Sequence, residues 1–463
     1  MERLRIGEQR HSVLDFLAKE MERIWGSFDH ARESEPEFTA SLKSLLNEQL
    51  PEGSQEIIEV LGQSVDVLES SIAQSRPRFL AYIGSSGLEV GAIADFLASS
   101  YDINQAIDSR ASTVLEQQTA KWVGEFIGFK SAIGYFTSGG MVSNLTALAT
   151  ARNQALPASR KLGIDRKVAI YASHESHYSV RRTIEVLGMG SESLRSIPID
   201  GHHRMNVTEL KRQINIDLSS GITPIAIVAT AGTTLTGAVD PIGEIVKVAK
   251  EKQIWLHVDG AYGVPAAGTA RSKLFEGLDD ADSVTIDAHK WLFVPKSCSL
   301  VLMKDRNGLA TTFSHHEAYM PHANDDYNPV DLTLEYSRPF RALKLWIAFK
   351  THGAEAFRIA IEKNIRLAEL TYQIAAQRND FRVLPYPPDL SIAPIQFLSP
   401  SESNRSALNE RLCQRILEDG RFYISTAQIN GETWLRPCYT NFRTTEADVF
   451  ALFNVVTELS SQL

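Results

Sequence analysis

Short apolar runs alternating with helical stretches constrain this chain more than any other feature. The runs cover 132–136, 167–171, 224–230, 254–258, 283–286 and 298–303. Their length and their content of Val, Ile and aromatic residues read as strands. Helical patterns at 141–153 and 241–252 separate several of them. Strands without polar alternation are buried on both faces. The pattern therefore predicts βα units forming a mainly parallel sheet with helices on both sides. The expected fold class is α/β.

A chain of 463 residues, 43% of them hydrophobic, is long enough for two or three domains. Val13, Leu14, Phe16, Leu17, Met21, Ile24 and Trp25 recur at helical spacing, and 56–73 carries a second such pattern. Two amphipathic helices cannot form a core alone, so they must dock on the rest of the chain or on another subunit. A long helical region follows Pro339. Beyond it, strands are expected near 392–398, 422–426 and 433–438, with a closing helix over 446–459 capped by Thr444 or Thr445. The organisation expected is a helical segment over 1–75, a large domain over 76–350 and a small α/β domain over 351–463.

A net charge of −9 argues against a general nucleic-acid binder, which needs a basic surface to neutralise phosphates. No apolar run approaches the roughly 18 residues of a membrane helix. Charges at Glu2, Arg3, Arg5 and Glu8 interrupt the stretch a secretory signal requires. The cysteines, Cys298, Cys413 and Cys438, are odd in number and share no ligand-like spacing. A cytoplasmic protein without a disulfide framework or a metal is expected.

Two short blocks carry the chemistry. Leu256-His257-Val258-Asp259-Gly260-Ala261-Tyr262 places an acid at the end of one predicted strand, and Asp287-Ala288-His289-Lys290-Trp291-Leu292 places a lysine after another. A pyridoxal 5'-phosphate (PLP) enzyme needs this pair, an amine for the cofactor aldehyde and a carboxylate to keep the ring nitrogen protonated. Lys290 must be partly neutral to react, and burial beside a cationic ring is expected to lower its pKa. Thr137-Ser138-Gly139-Gly140 follows a strand and opens a helix, either as a phosphate-binding turn or as an ordinary connection. His174 and His177 lie just past the strand ending at Tyr171; a ring-stacking, metal-binding or purely structural role fits that position. Thr230-Ala231-Gly232-Thr233-Thr234 ends a further strand with hydroxyls able to contact phosphate or substrate, or to cap a turn. Residues 313–329, with His315, His316, Tyr319, His322 and Tyr327, lack periodicity and read as a lid.

In order, spacing and flanking sequence these motifs resemble the group II PLP-dependent amino-acid decarboxylases, which include the aromatic-L-amino-acid decarboxylases. The resemblance runs from Arg76-Pro77-Arg78-Phe79 to Arg443-Thr444-Thr445. It implies the large-domain fold of aspartate aminotransferase (fold type I) and an intertwined homodimer with active sites at the interface. It implies that Lys290 holds PLP, that Asp259 pairs with its ring nitrogen and that His177 stacks on its face. Gly139, Gly140 and Asp287 would lie at the phosphate end, with Ala261 and His289 close by. Thr234 matches a threonine near cofactor and substrate, and Tyr82, Ser85 and His289 fall on the substrate side. Tyr319 matches the tyrosine of a loop that crosses to the other subunit and protonates the carbon left by decarboxylation. Met141 departs from the small hydroxyl residue common after the two glycines. The expected activity is decarboxylation of an L-amino acid, aromatic first. An acidic substrate and decarboxylation-dependent aldehyde synthesis are the alternatives, and aminotransfer and a non-catalytic binding protein are the rivals.

Overall fold

The computed structural model describes residues 4–131, 133–315, 328–400 and 402–462. A seven-stranded sheet occupies its centre, formed by β1 (Ile133–Thr137), β2 (Val168–Ser173), β3 (Leu194–Ile197), β4 (Thr223–Thr230), β5 (Trp255–Asp259), β6 (Ser283–Asp287) and β7 (Ser299–Met303). The strand order is β1-β7-β6-β5-β4-β2-β3. Only β7 runs against its neighbours, pairing antiparallel with both β1 and β6. Every residue of β1, β2, β5, β6 and β7 is buried, which explains why these strands appear in the sequence as apolar runs.

Alternation assigns the side chains to two cores. Phe136, Tyr171, Ile227, Leu256 and Ile286 belong to the core on one face. Tyr135, Ile170, Val228, Trp255 and Val301 belong to that on the other, together with Ala147, Leu148 and Ala151 of the helix Gly140–Ala155. Because β7 reverses direction between them, β1 and β6 run the same way. The C-terminal ends of β1, β2, β4, β5 and β6 therefore share one edge of the sheet, where open α/β sheets place their ligands.

A second, wholly antiparallel sheet has the order β10-β11-β9-β8, from β8 (Phe381–Val383), β9 (Ile395–Phe397), β10 (Ser425–Ile429) and β11 (Glu432–Arg436). Asn430 and Gly431 turn the β10–β11 hairpin with φ of 52° and 77°, the left-handed pair that a tight hairpin requires. The helical segment Ala342–Ala376, broken at Gly353 (φ 72°, ψ 157°), joins the cores of the two sheets, with Leu345, Ala348 and Ile361 in that of the large sheet and Leu367, Ala368 and Ala375 in that of the small one. The boundary expected at 350 falls inside this segment, beside the break. The closing helix Glu446–Ser460 starts with Thr445 and Asp448 capping one another reciprocally.

At the N-terminus, helix Arg10–Phe28 buries Val13 and Ile24, whereas helix Ile57–Glu69 buries no residue. Arg32 bonds Glu69, and Arg76 bonds the Ser27 carbonyl, tying this segment to the start of the large domain. No helix among the described residues is long and apolar enough to cross a membrane.

Candidate active site

The shared strand edge opens into a cavity of about 450 Å³. Asp259 ends β5, and Lys290 lies in the single helical turn Ala288–Trp291 directly after β6, so strand register alone brings the two motifs to one wall. His177 is the N-cap of helix Tyr178–Val186. Gly140 is the first residue of the helix that follows β1, and a side chain there would place Cβ 2.9 Å from Asp287 Oδ1. That close approach explains why the turn uses glycine, and it leaves the helix start open to the cavity.

Lys290 Nζ is 2.8 Å from Asp287 Oδ2. Burial works to lower the Lys290 pKa, but the Asp287 carboxylate more than offsets it and holds the amine above the ordinary lysine range. Conversely, burial would raise Asp287, while the charges of Lys290 and His289 and hydrogen bonds from Lys290 and Ser299 bring it below the usual carboxylate range. The lowering expected for Lys290 is tied to a cationic ring beside it; among the chain's own groups Asp287, which the resemblance sets at the phosphate end, lies against both the amine and the glycine turn.

Asp259, 5% exposed, has no salt bridge among the described residues. Its Oδ2 accepts from Asn144 Nδ2 at 3.0 Å and its Oδ1 from the Ala261 N–H at 3.2 Å. Asn144 Nδ2 also reaches Ser179 Oγ (3.1 Å), and Asn144 Oδ1 lies 3.0 Å from His257 Nε2. His177 Nδ1 lies 2.8 Å from Ser179 Oγ. Burial pushes His177 below the ordinary histidine range despite the nearby Asp259, so the ring facing the cavity is held towards its neutral form.

Tyr82, Thr234 and Ala261 line the cavity with Gly140, His177, Asp259, Asp287 and Lys290. Gly139 sits just outside the wall as the helix N-cap. Ser85 and His289 are not brought into the wall. The Ser85 hydroxyl is committed to the Val294 carbonyl at 3.3 Å, and His289 Nδ1 lies 3.0 Å from the Cys298 carbonyl with Nε2 turned toward Asp287. His174 pairs with Ser196, away from His177's partners. No cluster of metal-binding side chains occurs among the described residues. Tyr319 and the rest of 316–327 lie outside the described residues.

Asn144 and Arg436, both on the wall, are not among the expected site residues. Arg436, at the end of β11, is 2% exposed and donates to the carbonyls of Thr234 (2.6 Å) and Tyr82 (2.7 Å). Among the described residues it has no carboxylate partner and its Nη2 bonds nothing. Tyr82 holds a positive φ of 53°, which turns its carbonyl onto this guanidinium.

Comparison with known proteins agrees with this geometry. Residues 40–397 match the model of the pyridoxal-dependent decarboxylase conserved domain. An aromatic-L-amino-acid decarboxylase of Bacillus atrophaeus is 33% identical over 91% of this chain and 89% of its own. Among solved structures, mouse CSAD superposes with a TM-score of 0.90 at 23% identity over 97% of this chain and 99% of that one. Oryza sativa TDC with PLP and tryptamine gives a TM-score of 0.90 at 20% identity, over 98% and 99%. The two likenesses show that the folds agree. With most of its length inside the family model and a third of its residues shared with a bacterial relative, this chain belongs to the pyridoxal-dependent decarboxylases.

Proposed function

We propose that this PLP-dependent decarboxylase removes the α-carboxylate of an L-amino acid with an aromatic side chain, releasing carbon dioxide and the amine. The observation that carries the reading is the meeting of Lys290, Asp259 and His177 around one cavity at the sheet edge. These residues fit the cofactor. A buried carboxylate without a salt bridge suits a protonated ring nitrogen, a buried lysine suits the aldehyde, and a glycine-opened helix start suits a phosphate. The aromatic preference is supported by the 33% identical bacterial relative and by Tyr82, Tyr178, Leu235 and Met141 on the cavity wall.

Bound PLP supplies a sink for the electrons that the departing carboxylate leaves behind. Asp259 offers the anionic acceptor that retains the ring proton. His177, held towards its neutral form on the cavity wall, would cover the ring without adding a positive charge. Lys290 Nζ, beside Asp287 at 2.8 Å, would hold the cofactor aldehyde after passing a proton to that side, and would carry protons at this wall of the cavity. Tyr319 is assigned, on the family resemblance, the return of a proton to the substrate carbon.

Arg436 favours a second reading. A buried guanidinium without a counter-ion is costly, and a substrate carboxylate would offset that cost. If the carboxylate belongs to the side chain, the substrate is glutamate- or aspartate-like. Carbon dioxide release measured over the proteinogenic amino acids, DOPA and 5-hydroxytryptophan separates the cases. Turnover of aromatic substrates is expected; turnover confined to acidic ones supports the second reading, and turnover of neither contradicts both.

The active form proposed is a homodimer in a reducing cytoplasm, the latter supported by three buried free cysteines.

A further inference from the structure

We propose that Asn144 is a positioning residue whose side-chain amide orients Asp259 and sets the tautomers of His177 and His257 through one relay of hydrogen bonds. The inference rests on Asp259 facing the cofactor ring, as proposed above.

The relay breaks the pattern of its own surroundings. On the face of the sheet covered by helix Gly140–Ala155, the core is apolar at Ile170, Val228 and Val301. His257, Ser283 and Thr285 occupy that same face by strand alternation, and all three are fully buried. Asn144 lies one helical turn before Ala147 and Leu148 and reaches this polar strip with 1% exposure. Buried polar groups cost stability unless every one is satisfied, so a complete network inside a core is a specific arrangement.

Each proton in it has one consistent place. A carboxylate opposite a protonated ring can only accept, so Asn144 must turn its NH₂ toward Asp259 and its carbonyl oxygen toward His257. His257 then carries its proton on Nε2, and its Nδ1 accepts from the Ser283 hydroxyl at 2.8 Å. Ser283 Oγ in turn accepts from Trp255 Nε1 at 2.9 Å, which fixes the far end. On the near side the second N–H of Asn144 points at Ser179 Oγ, so the Ser179 hydroxyl donates to His177 Nδ1. The Ser179 backbone N–H donates to the same nitrogen at 3.3 Å. His177 Nδ1 accepts twice, which leaves the proton of the neutral ring on Nε2. Turning the amide over would set its oxygen against the Asp259 carboxylate. The titratable groups facing this corner are His177, Asp259, Asp287 and Lys290 in the cavity and His257 behind it.

The test is the dissociation constant of PLP from the full-length protein, titrated from pH 6 to 9 for wild type, Asp259→Ala, Asn144→Ala and Asn144→Asp, with folding checked by circular dichroism. Loss of a hydrogen bond to a charged group predicts about tenfold to a hundredfold weaker binding for Asn144→Ala. Asn144→Asp keeps the shape. Its carboxyl, while protonated, donates to Asp259 and preserves near-wild-type affinity; once ionised it repels Asp259. Its affinity relative to wild type is therefore expected to fall as pH rises, while that of Asn144→Ala stays level. If Asp259→Ala weakens binding but Asn144→Ala stays within about twofold of wild type, the relay is overturned and the site stands. A level pH ratio for Asn144→Asp also overturns it, because a residue that merely fills space gives no such slope. If Asp259→Ala binds as wild type does, the reading of Asp259 itself fails.

Discussion

At the residue scale, the charge of Lys290 is decided by its neighbour. With Asp287 2.8 Å away, the amine keeps its proton above the ordinary range, yet tethering an aldehyde needs that proton gone. Asp287→Asn removes the group that raises Lys290, so the pH giving half the maximal rate of PLP attachment is expected to move down, followed as absorbance of the bound chromophore. An unchanged or higher midpoint would show that Asp287 does not hold the proton. The motifs around Asp259 and Lys290 were readable because each is a strand end with a short, distinctive sequence. Asn144 and Arg436 were not, since their significance arises from partners such as Asp259, Thr234 and Tyr82 that only the fold brings near. Ser85 and His289 lie two residues and one residue from the wall positions Ile83 and Lys290, and they bond the Val294 and Cys298 carbonyls through Oγ and Nδ1.

At the scale of elements, β5 combines the core with the site. Its His257 is fully buried, and that burial pushes its pKa down to about 4. An unfolded histidine titrates near 6.5, so between those values the unfolded chain binds the extra proton and stability falls as pH drops. The loss attributable to His257 is on the order of 3 kcal/mol across that interval. Asp240, raised to about 7 by burial, contributes with the opposite sign, because the folded chain binds the proton more tightly. Comparing urea unfolding of wild type and His257→Gln from pH 7 to 4.5 isolates the histidine. The variant is expected to lose less stability on acidification, and parallel curves would contradict the assignment. The strands themselves were legible because burial on both faces leaves continuous apolar runs. The antiparallel insertion of β7 between β1 and β6 was not, since a buried run has the same composition in either direction.

At the scale of the whole molecule, the proposed homodimer offers cover for exposed apolar side chains. Leu14, Val60 and Leu68 of the N-terminal helices and Ile93, Phe96, Leu97 and Tyr101 of helix Glu89–Tyr101 are all exposed. The proposed homodimer, with Tyr319 serving the opposite subunit, has a direct consequence. Mixing Lys290→Ala with Tyr319→Phe under conditions that exchange subunits should restore amine formation at about a quarter of sites, since half the dimers are mixed and each has one intact site. No gain over the separate variants would place Tyr319 in its own subunit's site or outside catalysis. The proposed chemistry stands on Lys290. Borohydride reduction of the PLP-loaded protein, followed by peptide mass mapping, reads it directly. The reduced cofactor is expected on Lys290 and to vanish in Lys290→Ala along with turnover. An unlabelled Lys290, or the label on a different lysine, would contradict it.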